Sequence, residues 1–171
     1  QPLYTRYYIP EGNTSPINQD LDLTYSKHFV LGYSHQLNKN FGIKAEAYYQ
    51  DLTGIPIEMD SSAFSLTNAG SGFARVFPNA LNNNGTGYNY GIELTVQRYF
   101  NKNWHALFSG CLYNSQYTPS DGIERNTSFN GIYAANFLAG REFEVGKNKV
   151  LGLGVKVTGA GGKRKGLSLI H

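Results

Sequence analysis

The residue types that most often bind metals are few and scattered in this chain. Four histidines are present, His28, His35, His105 and His171, together with one cysteine, Cys111. His28 and His35 lie an odd number of positions apart in a segment that alternates like a β-strand, so their side chains face opposite sides of it. Two side chains on opposite faces cannot bind the same ion, and the sequence therefore predicts no metal site. A single cysteine also excludes a disulfide within the chain.

Two aspartates and a set of loop residues are the other candidates for chemistry. Asp20 and Asp22 are spaced to share one face and could hold a calcium ion, but a solvated strand entry is the favoured interpretation. The residues that a hydrolase would use lie in predicted loops: Ser61, Ser62, Ser120 and Asp121. Because no histidine stands at a defined spacing from them, the sequence predicts no catalytic residue, no enzyme and no bound cofactor.

Anion binding has equally little support. The glycine-rich residues 85–87 and 159–162 do not precede a predicted helix, as a phosphate-binding loop requires, and are interpreted as loops that flank strands. The basic residues 163–165 are predicted to form a solvated loop, with binding of lipopolysaccharide phosphates as the alternative. Since the net charge is only +3 and no other basic cluster exists, nucleic acid is not an expected partner.

Alternating hydrophobicity predicts an all-β fold. Three segments alternate clearly between apolar and polar side chains: 41–51, 88–100 and 150–159. Three more do so less regularly: 25–37, 104–117 and 131–145. This period of two is typical of strands with one apolar and one polar face, so we expect about six strands and no helix. Arg98 falls on the apolar side, near a strand end where a long side chain can reach water.

The lengths of the strands and of their connections favour a membrane sheet. Several strands run to about a dozen residues, whereas soluble strands average five or six and tilted transmembrane strands need about 9 to 11. Short turns at 38–40, 101–103 and 146–148 alternate with long connections at 53–87 and 118–130. Outer-membrane barrels show this asymmetry, with their long loops outside the cell. The two long connections are therefore predicted to be extracellular, and 53–87 is the main candidate for ligand contact. The alternative is that its stretches 55–57 and 61–66 add strands above the membrane.

Composition is consistent with such a sheet. Charged residues make up 16% of the 171 residues, against a usual quarter, and the chain contains 13 tyrosines and 10 phenylalanines. No stretch approaches the roughly 18 consecutive apolar residues that a membrane helix needs, which excludes a helical membrane protein. The predicted fold is an antiparallel up-and-down meander over residues 1–171, forming one partial domain of a transmembrane β-barrel without a plug domain.

Aromatic residues concentrate at both ends of the predicted strands. Amphipathic rings favour the headgroup level of a bilayer, so two aromatic belts fit a membrane-spanning sheet. The alternative is that aromatic residues simply favour strands. The candidates for the membrane interface are Phe41, Tyr49, Tyr88, Tyr90, Phe100, Trp104 and Tyr133.

Five segments together resemble the barrel of TonB-dependent outer-membrane receptors of the Bacteroidetes type. They are residues 28–33 (HFVLGY), 44–50 (KAEAYYQ), 89–95 (NYGIELT), 125–131 (RNTSFNG) and 139–143 (AGREF). The resemblance extends over about residues 20–164, with the segments in the family's order. It implies a barrel of about 22 strands that is plugged by an N-terminal domain and located in the outer membrane. Such a receptor imports a siderophore, a peptide or a glycan-derived nutrient with energy passed on by TonB.

The resemblance also implies the partners and marks what the chain lacks. The partners would be outer-membrane lipid, the rest of the barrel and its plug, TonB through the parent protein, and a small nutrient of unknown identity. Six strands cannot close a barrel with a lumen, and nothing resembles the plug, the TonB box or the closing strand, so the chain is expected to be a fragment. Residues 165–171 depart from the family.

Two other functions remain open on the sequence. The alternative from a different class is a stand-alone soluble β-sandwich, secreted as a binding module, whose apolar faces pack against each other. A smaller barrel with a structural or adhesive role is the third possibility. In the favoured hypothesis, charged side chains of the polar faces, such as Lys44, Glu46 and Glu93, line the lumen. There they either pair with each other, which is the favoured interpretation, or contact a plug.

Overall fold

The strands of the chain form a single antiparallel sheet. The computed structural model describes residues 3–69 and 77–162. The strands are β1 (Tyr25–Asn38), β2 (Phe41–Glu58), β3 (Leu81–Asn101), β4 (Trp104–Thr118), β5 (Arg125–Asn126), β6 (Tyr133–Glu144) and β7 (Val150–Ala160). Their order across the sheet is β1-β2-β3-β4-β6-β7, and the short β5 also pairs with β4. The predicted all-β antiparallel meander is confirmed. The described residues leave the sheet open, with β1 and β7 at its edges.

Two short helical segments escaped the sequence prediction, which contained no helix. They are α1 (Leu3–Tyr7) and a 3₁₀ turn (Leu66–Asn68). A helix of five residues is too short to show a helical period of hydrophobicity, which explains the error. Neither helix has the length and hydropathy that a membrane crossing by a helix requires.

The long connection predicted at 53–87 is wrong in its bounds, because β2 and β3 continue far into it and leave only residues 59–80 between them. The extension includes Ile55 and Ile57, which are 2% and 3% exposed. Gly54 adopts a φ of 71°, and the register shifts on both sides of Ile55, so this part of β2 is bulged. A bulge tolerates Pro56, which lacks the amide hydrogen of a regular ladder.

The second long connection, predicted at 118–130, runs from 119 to 132 between β4 and β6 and contains β5. At the other end of the sheet the predicted short turns are confirmed. In the turn between β3 and β4, Lys102 and Asn103 have φ values of 49° and 65°. Positive φ at both central residues matches the twist of a tight hairpin, and asparagine tolerates it well. The sheet therefore has a turn end and a loop end.

A small buried core lies at the loop end. Its apolar members are Leu21, Ile55, Ile57, Leu81 and Tyr117, each 7% exposed or less. The segment before β1 is held there by hydrogen bonds: Asn18 accepts one from the backbone N–H of Leu81, and Asn83 donates to the carbonyls of Asp22 and Gly54. We call this packed region, formed by residues 5–24, 53–69, 77–87 and 115–132, the cap.

The two long connections pack against each other within the cap. The Ser120 hydroxyl donates a hydrogen bond of 2.6 Å to the carbonyl of Asp60 and accepts one of 3.0 Å from the N–H of Ser62. The Tyr117 hydroxyl donates to the carbonyl of Ala63 at 3.1 Å. By contrast, every residue of β1 and β7 is exposed, so the sheet below the cap is bare on both faces.

The glycines at 85–87 lie inside β3, so their interpretation as a loop is wrong. A Cβ at Gly85 would lie 2.5 Å from Cγ2 of Ile57 and 2.6 Å from the carbonyl oxygen of Ile55. We expect Gly85→Ala to lower the free energy of unfolding by about 1 to 3 kcal/mol, since the backbone contact cannot yield. Gly159→Ala is the matched control, because a Cβ there meets nothing within 4 Å. Urea titration of both variants in detergent micelles makes the comparison, and equal effects would contradict the prediction.

Candidate functional site

One side of the sheet is apolar and exposed over six strands. Cross-strand pairing aligns one row of its side chains in the order Leu31, Ala47, Ile92, Leu112 and Tyr133. We call this side the apolar face. Leu31 is 79% exposed, and Ile92 and Leu112 are both 56% exposed. A contiguous apolar surface of this kind marks a site that contacts a partner or a lipid.

A shallow groove of about 740 Å³ crosses the middle of the apolar face. Its lining combines small side chains, such as Ala45, Ala47 and Ala135, with bulkier neighbours such as Leu94 and Phe108. The groove therefore arises from the alternation of small and large residues along neighbouring strands, and its lining suits hydrocarbon chains.

Tyrosines close the apolar face at its loop end. The rings of Tyr49 and Tyr88 stack at 6.4 Å between centroids, and those of Tyr88 and Tyr90 at 6.2 Å. Tyr133 lies opposite Leu112, one row further toward the turn end than Tyr90, which pairs with Asn114. The Tyr88 hydroxyl also hydrogen-bonds to the side chains of Gln116 and Glu124. Four of the seven predicted interface aromatics thus lie on one face within a few residues of the cap.

At the turn end, Phe41 and Trp104 lie on the apolar face together with two arginines. Phe41 pairs with Arg98, and Trp104 pairs with Arg141. The Arg98 guanidinium carbon lies 3.9 Å from the centroid of the Trp104 ring. Phe100, the remaining predicted interface aromatic, instead contacts the ring of His105 at 6.2 Å between centroids. His105 follows Trp104 in β4 and so faces the opposite side of the sheet.

The opposite, polar face carries a ladder of polar side chains beneath the cap, of which some hydrogen-bond to each other. His28, Gln50, Asn89 and Ser115 pair across β1 to β4 in that order. Asn89 donates to the Gln50 oxygen at 2.7 Å, and Gln50 donates to the Ser26 hydroxyl at 2.8 Å. The polar face also holds an ion pair of 2.6 Å between Lys44 and Glu46. Because the Lys44 side chain is more than half exposed, water screens this pair, and it contributes little to stability.

A pocket of about 360 Å³ opens on the polar face between the ladder and the cap. Amides and hydroxyls line it, among them Gln50, Asn89 and Ser115, together with aromatic rings of Tyr48, Tyr113 and Phe129. No charged side chain lines this pocket among the residues described. It can therefore offer hydrogen bonds and ring stacking to an uncharged polar ligand.

Gly91 leaves room for the ring of Tyr48, which lines this pocket. A Cβ at Gly91 would lie 2.8 Å from the Tyr48 hydroxyl oxygen and 2.7 Å from the carbonyl oxygen of Leu112. On the far side, the Tyr113 hydroxyl accepts a hydrogen bond from the N–H of Gly131 and donates one to the carbonyl of Phe129. Gly91 thus makes space for Tyr48, and Gly131 holds Tyr113 by a hydrogen bond that the sequence alone did not reveal, because Gly131 comes from a distant segment.

The residues considered for metal chemistry stay apart in the structure. His28 pairs with Gln50 on the polar face and His35 pairs with Ile43 on the apolar face, so the prediction that they face opposite sides is confirmed. Over the described ranges 3–69 and 77–162, no three His, Cys, Asp or Glu side chains form a group that could hold a metal ion. His171 and the basic residues 163–165 lie outside the described residues.

The loop residues considered for hydrolysis serve the cap. Ser120 joins the two connections, as described above, and Asp121 forms a two-pronged ion pair with Arg125 at 2.6 and 2.8 Å. Hydrogen bonds from the Arg125 guanidinium and from the N–H of Ile123 hold the pKa of the Asp121 carboxyl below its ordinary value of 3.8. The arrangement is that of a loop anchor.

The ion pair between Asp121 and Arg125 should make the 119–132 connection sensitive to acid. A carboxyl whose pKa is lowered by folding contributes stability above its unfolded pKa, and that contribution is lost as the pH falls through the folded value. We therefore expect the 119–132 connection to become more accessible to pepsin as the pH drops below about 3.8. Asp121→Asn should remove this pH dependence while leaving that of distant sites unchanged. An unaltered pH profile in the variant would contradict the assignment.

No model of a protein family, no curated protein and no solved structure matches the chain. The resemblance to TonB-dependent receptors therefore rests on the five sequence segments given above.

Proposed function

We propose that the chain forms part of the wall and external loops of an outer-membrane barrel, in a TonB-dependent receptor that takes up a small nutrient. The observation that carries the proposal is the exposed apolar face, bounded by tyrosines at its loop end and by Trp104, Phe41 and two arginines at its turn end. Aromatic girdles around an apolar band are what a β-barrel presents to a bilayer.

The distance between the aromatic rows of the apolar face supports its proposed position in a bilayer. Tyr90 pairs with Asn114 of β4, which stands ten positions from Trp104. Ten residues of extended strand span roughly 33 Å, and a tilt of about 40° reduces the height to roughly 25 Å. The apolar band of outer-membrane barrels is also about 25 Å tall. The two aromatic rows are therefore spaced as the two surfaces of a bilayer core require.

The open edges imply the rest of the barrel as a partner. In the described residues, β1 pairs only with β2, and β7 pairs only with β6. Each unpaired backbone N–H or carbonyl group in hydrocarbon costs several kcal/mol, so across a bilayer both edges must be paired, whereas in a micelle they can stay in contact with water. Further strands of a parent protein would cover both edges, and a plug with access to TonB would occupy the lumen beside the polar face.

In this arrangement the cap faces the outside of the cell and the pocket faces the lumen. The pocket lies where a nutrient entering between the external loops would first meet the barrel wall. Its uncharged lining of amides, hydroxyls and tyrosine rings suits a neutral ligand. Among the cargoes considered for the family, a glycan-derived nutrient or an uncharged peptide fits this lining better than a strongly anionic compound.

The test is whether the fold needs a nonpolar solvent. We expect far-ultraviolet circular dichroism to show the sheet in dodecylphosphocholine micelles and not in plain buffer, because the apolar face has no cover in the sheet itself. A folded monomer in plain buffer, judged by size-exclusion chromatography, would contradict the proposal and favour a soluble binding module. A soluble sandwich requires a second sheet, whereas the described strands all belong to one.

A further inference from the structure

Two arginines stand on the apolar face at its turn end, where hydrocarbon-facing residues would be expected. Arg98 lies in β3 on the same face as Leu94, and Arg141 pairs directly with Trp104. Within the described residues the ion pairs are Lys44–Glu46 and Arg125–Asp121, so neither arginine has a carboxylate partner. The Nε–H group of Arg98 is buried and donates to no acceptor among these residues.

Aromatic rings hold the two guanidinium groups in place. The Arg98 guanidinium lies 3.9 Å from the Trp104 ring centroid, and that of Arg141 lies 5.0 Å from the Phe143 ring centroid. Stacking of this kind leaves the edges of the guanidinium free to donate hydrogen bonds. The acidic residues of β6, Glu142 and Glu144, pair with Gly152 and Val150 in rows that face the other side of the sheet.

An apolar slot lies directly beside Arg141 and Trp104, the residue on which Arg98 stacks. It has a volume of about 420 Å³ and is lined by Trp104, Ala139, Arg141, Leu153 and Val155, among others. Cationic side chains next to an apolar slot are complementary to an amphiphile that has an anionic headgroup. A planar guanidinium also binds phosphate oxygens with two parallel hydrogen bonds, which an ammonium group cannot do.

We infer that Arg98, Arg141 and Trp104 form a binding site for the phosphate of an anionic phospholipid, with one acyl chain in the adjacent slot. The inference rests on the proposed function, because it places the apolar face in a bilayer. We name a glycerophospholipid as the ligand because the site lies at the turn end, and the short turns of an outer-membrane barrel lie on the periplasmic side. Free inorganic phosphate lacks the acyl chain that the slot would hold.

Trp104 makes the site directly observable, because it is the only tryptophan of the chain. The experiment titrates the chain with vesicles of phosphatidylcholine alone and with vesicles that contain one quarter phosphatidylglycerol, and follows the blue shift of Trp104 emission. We expect binding to both, with stronger binding to the anionic vesicles. Each arginine should account for about a fivefold difference in the partition coefficient.

Three variants separate a phosphate site from general charge attraction. Arg98→Gln should remove about fivefold of the preference for phosphatidylglycerol, and Arg98→Lys should remove much of it too, because lysine keeps the charge but loses the stacked planar geometry. Lys156→Gln is the matched control, since Lys156 pairs with Leu138 on the polar face. Adding inorganic phosphate at the concentration of the lipid phosphate should leave the preference unchanged.

The outcomes distinguish the inference from the proposed function. Equal binding to both kinds of vesicle, or an effect of Lys156→Gln as large as that of Arg98→Gln, would overturn the lipid site and leave the membrane proposal standing. Loss of the preference on adding inorganic phosphate would also overturn it, because the site would then hold a free anion. Failure to bind either kind of vesicle would overturn the membrane proposal and the site together.

Discussion

Replacing Leu94 with arginine should lower the free energy of unfolding in detergent micelles by about 2 to 4 kcal/mol. Leu94 lies midway along the apolar face, between Ala45 of β2 and Gly110 of β4, and at the edge of the central groove. An arginine at this depth cannot reach either surface of the apolar band, so its charge would have to be buried in hydrocarbon. Urea titration followed by circular dichroism measures the effect.

Glu93→Arg is the matched control for this substitution. Glu93 is the preceding residue, and its cross-strand partners are Glu46 and Cys111 on the polar face. An arginine there stays in water and faces a carboxylate, so we expect a change within about 0.5 kcal/mol. If the two variants cost the same free energy, the assignment of the apolar face to lipid would be contradicted.

Replacing Ile57 with alanine should cost about 2 to 5 kcal/mol, the usual range for a large side chain removed from a tight core. Ile57 is 3% exposed, contacts the backbone region of Gly85 and forms a bridge with Ser65 of the first connection. Its truncation would leave a cavity in the cap, where most of the buried side chains of the described residues are found. We also expect this substitution to make proteolysis within residues 59–80 faster.

Leu23→Ala serves as the control for the cap. Leu23 precedes β1 in the same part of the molecule but is 69% exposed. We expect its truncation to change the free energy of unfolding by less than about 0.5 kcal/mol and to leave the rate of proteolysis unaltered. Equal protease sensitivity of the two variants would show that Ile57 does not hold the connections in place.

Periodicity predicted the bare part of the sheet well, because each strand there is regular and faces two different environments. The predicted starts at Phe41, Trp104 and Val150 coincide with the observed ones. Periodicity failed at Ile55 and Ile57, where the cap buries the strand and the chain carries Gly54 and Pro56, two residues that normally interrupt strands. The sequence thus failed to predict the strand residues whose surroundings are formed by distant segments of the chain.

The candidate sites likewise have one part that the sequence predicted and one part that it could not predict. Alternation alone placed Arg98 on the apolar side of β3, and the structure agrees. What the sequence could not show is that Trp104 folds back onto Arg98, because this contact depends on the register shift between Arg98 and Asn101. Likewise, the polar pocket needs Phe129 from a connection whose path follows from contacts with Asn68 and Ser115, and no local pattern encodes those contacts.

The meander order has a consequence for how the sheet is built. Each long strand pairs with the long strand that precedes it in the chain, and the largest loop that must close between partners is residues 59–80. Loop closure of this kind is cheap in entropy, so hairpins can form early and the sheet can grow by adding one strand at a time. Added strands at either edge would extend the sheet without disturbing the existing register. The order of synthesis and the order of assembly can therefore be the same.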